Sequence, residues 1–172
     1  MPTYADCPTV EVSAEIAADP AIVWNLVSDI GLSSRFSTEV SGAEWIEGHD
    51  GPALDARFVG HSAHDAIGEW TTTCVVTGFE EGRIFEWSVI GRDADVSSIW
   101  RWTIDDLGEG TVALRYWFQM GPGRGGLNFA IEAMPDKEER IVARRLDEHR
   151  INMERVVAGV RELAESAAAQ AR

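Results

Sequence analysis

The sequence predicts an α+β fold: a curved antiparallel sheet of six or seven strands wrapped around one long C-terminal helix, with two short helices after the first strand. Three observations carry this. The first is the ending. Over residues 135–166, Val142, Leu146, His149, Met153, Val156, Val160 and Leu163 recur at alternating steps of four and three, which holds them on one helix face. At 1.5 Å per residue such a helix spans roughly 45–50 Å, so its apolar side needs a broad apolar partner. The second is the middle of the chain, where short segments alternate apolar and polar residues between turns. The third is the brevity of those turns, which favours antiparallel pairing of consecutive strands.

In chain order, residues 9–17 (TVEVSAEIA) alternate and form the first strand. Asp19 and Pro20 then open a helix over residues 20–30, with Asp19 as N-cap and Pro20 at the first helical position. Gly31 ends it, and GLSSRFS gives a second short helical turn. Strands follow at 40–47, 56–62, 69–79, 83–90, 96–104 and 111–120, separated by GHDGPALD, AHDAIG, EEG, GRDAD and DDLGEG. GPGRGG at 121–126 links the sheet to the C-terminal region, and GLNFAIEAM suits a short helix. The main helix begins at Pro135, with Asp136, Glu138 and Glu139 at its positive end. One domain is expected over residues 9–166, followed by a frayed alanine-rich tail at 167–172. This order is a helix-grip arrangement.

Composition narrows the role. At 172 residues the chain holds one domain with a real core. No apolar run reaches the ~20 residues of a membrane span, and no secretory signal precedes the first strand. Cys7 and Cys74 have neither disulfide-framework nor metal-ligand spacing, so a reduced cytoplasmic setting is expected. The net charge of −14 lies entirely within residues 1–135. With no basic stripe to meet phosphates, nucleic acid is not the expected partner, and an anionic membrane surface would repel this body. His49, Asp50, His61, His64 and Asp65 match no metal-binding spacing, and no nucleophile elbow, P-loop or dinucleotide fingerprint is present. No metal and no cofactor are expected.

Three segments carry a family resemblance: PAIVWNLVSDIGLSSRFSTEV, ARFVGHSAHDAIGEWTTTCVVTGFEEGRIFEWSV and MPDKEERIVARRLDEHRINMERVVAGVRELAE. Across nearly its whole length the chain resembles the START-like (SRPBCC) superfamily, in particular its polyketide cyclase/dehydrase and lipid-transport group. The resemblance implies a cavity between sheet and terminal helix that takes a lipid or polyketide-like molecule. It also implies, for an enzyme, polar cavity residues that fold and polarise a poly-β-ketone chain. Arg35, Tyr116 and His149 are the nearest candidates for that role.

The residues support a cavity independently. Strand alternation puts Trp100, Trp102 and Ile104 on one face, Leu114, Tyr116 and Phe118 beside them, then Phe85, Trp87 and Val89, then Trp70, Thr72, Cys74 and Val76. These rows are assigned to the concave face under the helix. Arg101, Thr103, Arg115, Trp117 and Gln119 take the opposite, wetter face. The expected ligand-binding set is Trp70, Phe85, Trp87, Trp100, Trp102, Tyr116, Phe118, His149 and Met153. Binding or transport of a hydrophobic small molecule is the leading expectation. An aromatase/cyclase or dehydratase is the alternative, and a non-catalytic interaction module is a third. Monomer and homodimer both fit.

Overall fold

Alternation of inward and outward side chains sets the first strand. In β1 (Thr9–Ile16), Val10, Val12, Ala14 and Ile16 face the core while Thr9, Glu11, Ser13 and Glu15 are exposed. The computed structural model describes residues 1–171; Arg172 lies outside them.

α1 (Pro20–Val27) begins with Pro20 at its first position. Asp19 takes the N-cap place through its carbonyl, which accepts from the Ile22 and Val23 amides at 3.0 and 3.3 Å; its carboxylate makes no capping bond. The helix stops three residues short of the predicted end. The Asp29 carboxylate takes the Gly31 amide at 2.8 Å, a local bond that competes with continued helix. A 3-10 turn then spans Leu32–Arg35.

The strands are β2 (Val40–Trp45), β3 (Arg57–His64), β4 (Gly68–Glu80), β5 (Ile84–Ile90), β6 (Val96–Gly108) and β7 (Thr111–Met120). They form one antiparallel sheet in the order β1-β7-β6-β5-β4-β3-β2, so β2 to β7 make a meander and β1 returns beside β7. The β4–β5 turn closes through the Arg83 amide on the Glu80 carbonyl (2.9 Å), with Gly82 at φ +78° where a side chain would be strained. Register shifts at Val40/Gly42, Val76/Gly78, Val89/Ile90 and Asp106/Gly108 bend the strands, which curves the sheet.

α2 (Leu127–Ala133) leads to a 3-10 turn at Pro135–Lys137 and then α3 (Glu138–Gln170). The residues expected to fray are helical as far as Gln170. Alanine is the strongest helix former, and Ala168 packs against the core. α3 lies chiefly along β1, and α1 packs on α3 and β6. Its buried residues include Val142, Met153, Val156, Val157 and Val160, each contributing roughly 1.5–3 kcal/mol from burial. Leu146, His149 and Leu163 share that face but are only half-buried. On the outer face, the Arg101 guanidinium lies 4.5 Å from the Trp117 ring centroid and donates to Glu86 at 2.6 Å.

Candidate ligand-binding site

The concave face is built from cross-strand neighbours. Register sets Trp102 opposite Tyr116 and Phe85, and Trp100 opposite Phe118 and Trp87. Trp102 and Tyr116 stack 3.7 Å apart at 5° between planes. Trp100 meets Phe118 at 4.5 Å, and Phe85 meets Trp87 at 5.2 Å. Phe58, on β3, adds an edge contact to Trp87 at 6.0 Å, and Trp45 another to Phe58 at 5.4 Å.

These rings interlock more closely than their bulk alone suggests. The space left between Leu32, Ser33, Phe58, Phe85, Trp87 and Trp102 is about 30 Å³. That holds about one or two waters, against the roughly 300–1,000 Å³ of a typical small-molecule pocket. This space is lined by the sheet and by residues 27–33 rather than by α3, and flat rings at adjacent register positions stack on one another across the concave face beside it. Burial is graded across the face. Phe85, Trp102, Tyr116 and Phe118 are sealed, whereas Trp87, Trp100 and Val89 stay half-exposed.

Two polar side chains enter the aromatic cluster. The Tyr116 hydroxyl is pushed up from its ordinary value by burial, with the Ser33 hydroxyl opposing. His149 stands over the half-exposed part of the face, its ring 4.4 Å from Phe118 and edge-on to Trp100 at 5.2 Å. Burial, then the Arg145 cation, hold its imidazole well below the ordinary value of 6.5. The folded protein thus refuses a proton that the unfolded chain accepts. Stability should fall as pH drops below 6.5, by up to about 1.4 kcal/mol per pH unit. His149→Leu should flatten that slope between pH 5 and 6.5; urea unfolding at stepped pH measures it, and an unchanged slope would assign the titration elsewhere.

Met153 is buried on the inner face of α3, within the core. Two predicted residues lie apart from this cluster. Arg35 is exposed, its guanidinium 5.6 Å from the Phe36 ring, so it does not enter the interior. Trp70 shares strand parity with Cys74 and Val76, but residues 68–72 of β4 pair only with β3 and run beyond β5. There Trp70 borders a separate open depression of about 540 Å³ with Ser41, His61, Ser62 and Glu69. His61 and His64 lie on opposite faces of β3 and pair with Glu44 (3.3 Å) and Glu148 (3.8 Å), so their imidazoles diverge. The Cys74 thiol, sealed beside Phe58, is pushed up to about 12 by burial.

Arg145 is the polar residue that the sequence reading missed. It lies one helical turn before His149 and is bidentate to Glu39. It also reaches Glu148 at 3.2 Å, and side-chain exposures of Arg145 and Glu39 are 13% and 11%. Glu148 is raised by partial burial but lowered further by hydrogen bonds from Arg145 and Arg144, ending below its ordinary value. The i, i+4 spacing of Arg145 and His149 is visible in the sequence; the distant partner Glu39 is not.

A seven-stranded antiparallel sheet gripping a long terminal helix around an aromatic interior defines a helix-grip domain of the START-like superfamily. The chain belongs to the family described as polyketide cyclase / dehydrase and lipid transport, whose model matches residues 8–157. That family supports hydrophobic ligand binding or polyketide cyclisation as the general range of roles. No curated protein matches the sequence. Among solved structures, the chain is similar to a polyketide-cyclase-like protein of Corynebacterium glutamicum, at 29% identity over 91% of both chains and TM-score 0.63. It also shares its fold with the Zhui aromatase/cyclase of Streptomyces sp. R1128, at 12% identity, covering 89% of this chain and 93% of that one, TM-score 0.62. A third is the di-domain aromatase/cyclase StfQ of the steffimycin biosynthetic pathway, at 18% identity, covering 91% of this chain and 45% of that one, TM-score 0.56. No helix among the described residues is long and apolar enough to cross a membrane.

Proposed function

We propose that the protein binds and carries a flat hydrophobic small molecule, of lipid or polyketide type, between the sheet and α3. The observation that carries this is the half-exposed aromatic wall of Trp87 and Trp100 beneath His149, inside a fold otherwise well packed. An aromatic wall grips a flat apolar molecule over a large area, and one neutral imidazole fixes its polar end. The enclosed space beside Trp87 is about 30 Å³ and is roofed by residues 27–33, so a larger molecule requires that segment to part from the sheet. In this reading the protein is cytoplasmic, a monomer or homodimer, and works without metal or cofactor.

A second reading is an aromatase/cyclase or dehydratase, favoured by the Tyr116 hydroxyl and the His149 imidazole on one aromatic cluster. Such an enzyme would act by holding a reactive chain in one geometry and polarising a carbonyl. Turnover of a poly-β-ketone substrate separates the two.

Native mass spectrometry of protein purified from its own host should reveal a retained hydrophobic molecule. N-phenyl-1-naphthylamine should bind and quench tryptophan emission, and Trp87→Ala and Trp100→Ala should each weaken that binding about tenfold, which is about 1.4 kcal/mol. Unchanged binding in folded variants would make these rings core residues and refute the site.

A further inference from the structure

We propose that residues 35–39 form a strap that gates the interior between the sheet and α3. Three of its residues dock on α3 at positions seven apart, which is one stripe along a helix. Phe36 lies against Gly159, where an added Cβ would fall 2.5 Å from three ring carbons. The Thr38 amide and hydroxyl donate to Asn152 Oδ1 at 3.1 and 3.0 Å. Glu39 pairs with Arg145, accepting from Nη1 at 2.8 Å. Glycine is a poor helix former, so its place inside α3 is explained by the Phe36 ring that it admits.

The strap bridges α3 and the sheet beside the enclosed space, although none of its own residues lines it. It continues directly from Leu32 and Ser33, which form one wall of the 30 Å³ void, with Phe58, Trp87 and Trp102 opposite. Its far side is tied to β3 by the Ala63 amide on the Glu39 carbonyl at 2.9 Å. Apart from the Phe36 ring, what holds the strap to α3 is polar, and water replaces such bonds readily. The helix itself is seated by buried apolar side chains such as Val142, Val156 and Val160. Release of the strap is therefore the easier opening than lifting α3. As a passage for a hydrophobic molecule, the gate rests on the ligand-binding reading above; as a motion, it does not.

Cys74 supplies a test that needs no ligand. It is 3% exposed on the concave face, so methyl methanethiosulfonate reaches it only when the interior opens. In a Cys7→Ser background, Gly159→Ala and the double change Glu39→Gln/Asn152→Ala should each speed Cys74 labelling at least tenfold. Ile16→Val, a core change on β1, is the control for general loss of stability. Strap variants that label no faster than Ile16→Val, when compared at equal melting temperature, overturn the gate. Stopped-flow association of N-phenyl-1-naphthylamine is the second readout. Faster association in the strap variants supports passage beneath the strap; binding at an unchanged rate overturns that passage. Strap-dependent labelling with no probe binding in any form supports the gate and refutes the ligand-binding reading.

Discussion

Trp102→Ala should lower the unfolding free energy by about 3–5 kcal/mol, as expected for deleting a fully packed indole. For a chain of this length that corresponds to a fall in melting temperature of roughly 6–20 °C. Trp102 is 2% exposed, lies flat on Tyr116 at 3.7 Å, and sits opposite Phe85 on the neighbouring strand. Its removal strips contacts from both neighbours and cannot be repaired by collapse, because rigid strands hold the two flanking rings in register. Trp100→Ala should cost less, since that ring is half-exposed and part of its surface is already hydrated. The vacated space adjoins the existing 30 Å³ void, so Trp102→Ala should also take up N-phenyl-1-naphthylamine more readily than the wild type. Urea unfolding of the two variants decides the matter. Equal losses would mean that the packing gradient along β5 and β6, from Phe85 and Trp102 to Trp87 and Trp100, is not real.

The contrast between Trp102 and Trp100 marks what the sequence made legible. Strand parity alone put both rings on the concave face, along with Phe85, Trp87, Tyr116 and Phe118, and the step pattern of α3 put Val142, Met153, Val156 and Val160 against them. Parity says which way a side chain points; it does not say which ring stands opposite which. That depends on register, and register sets the neighbouring rings into a stacked cluster. Trp70 shows the same limit, since its parity matches the core rows yet its stretch of β4 runs past the end of β5. Arg35 followed from a helical turn whose direction is set by the Asp29 carboxylate bond to Gly31, a detail local to side chains. The strap was illegible for a different reason. Phe36–Gly159, Thr38–Asn152 and Glu39–Arg145 are all pairings across more than a hundred residues, and nothing in either segment alone announces the other.

Arg145→Met should destabilise the protein by about 3 kcal/mol, the scale of removing one partner from a largely buried ion pair. The loss comes less from the attraction given up than from the Glu39 carboxylate left behind, 11% exposed and without its two guanidinium hydrogen bonds. Glu39→Gln/Arg145→Met should recover most of that loss, because neither residue then carries an unpaired buried charge; a double variant as unstable as the single one would show that Arg145 acts through packing. The same substitution reaches the candidate site. Arg145 is the second cause, after burial, of the depressed His149 ionisation, so in Arg145→Met the imidazole should titrate nearer its ordinary value while remaining below it. The loss of stability toward low pH should accordingly level off at a higher pH than in the wild type. A His149 titration that does not move on loss of Arg145 would separate the ion pair from the aromatic wall and leave burial as the whole cause.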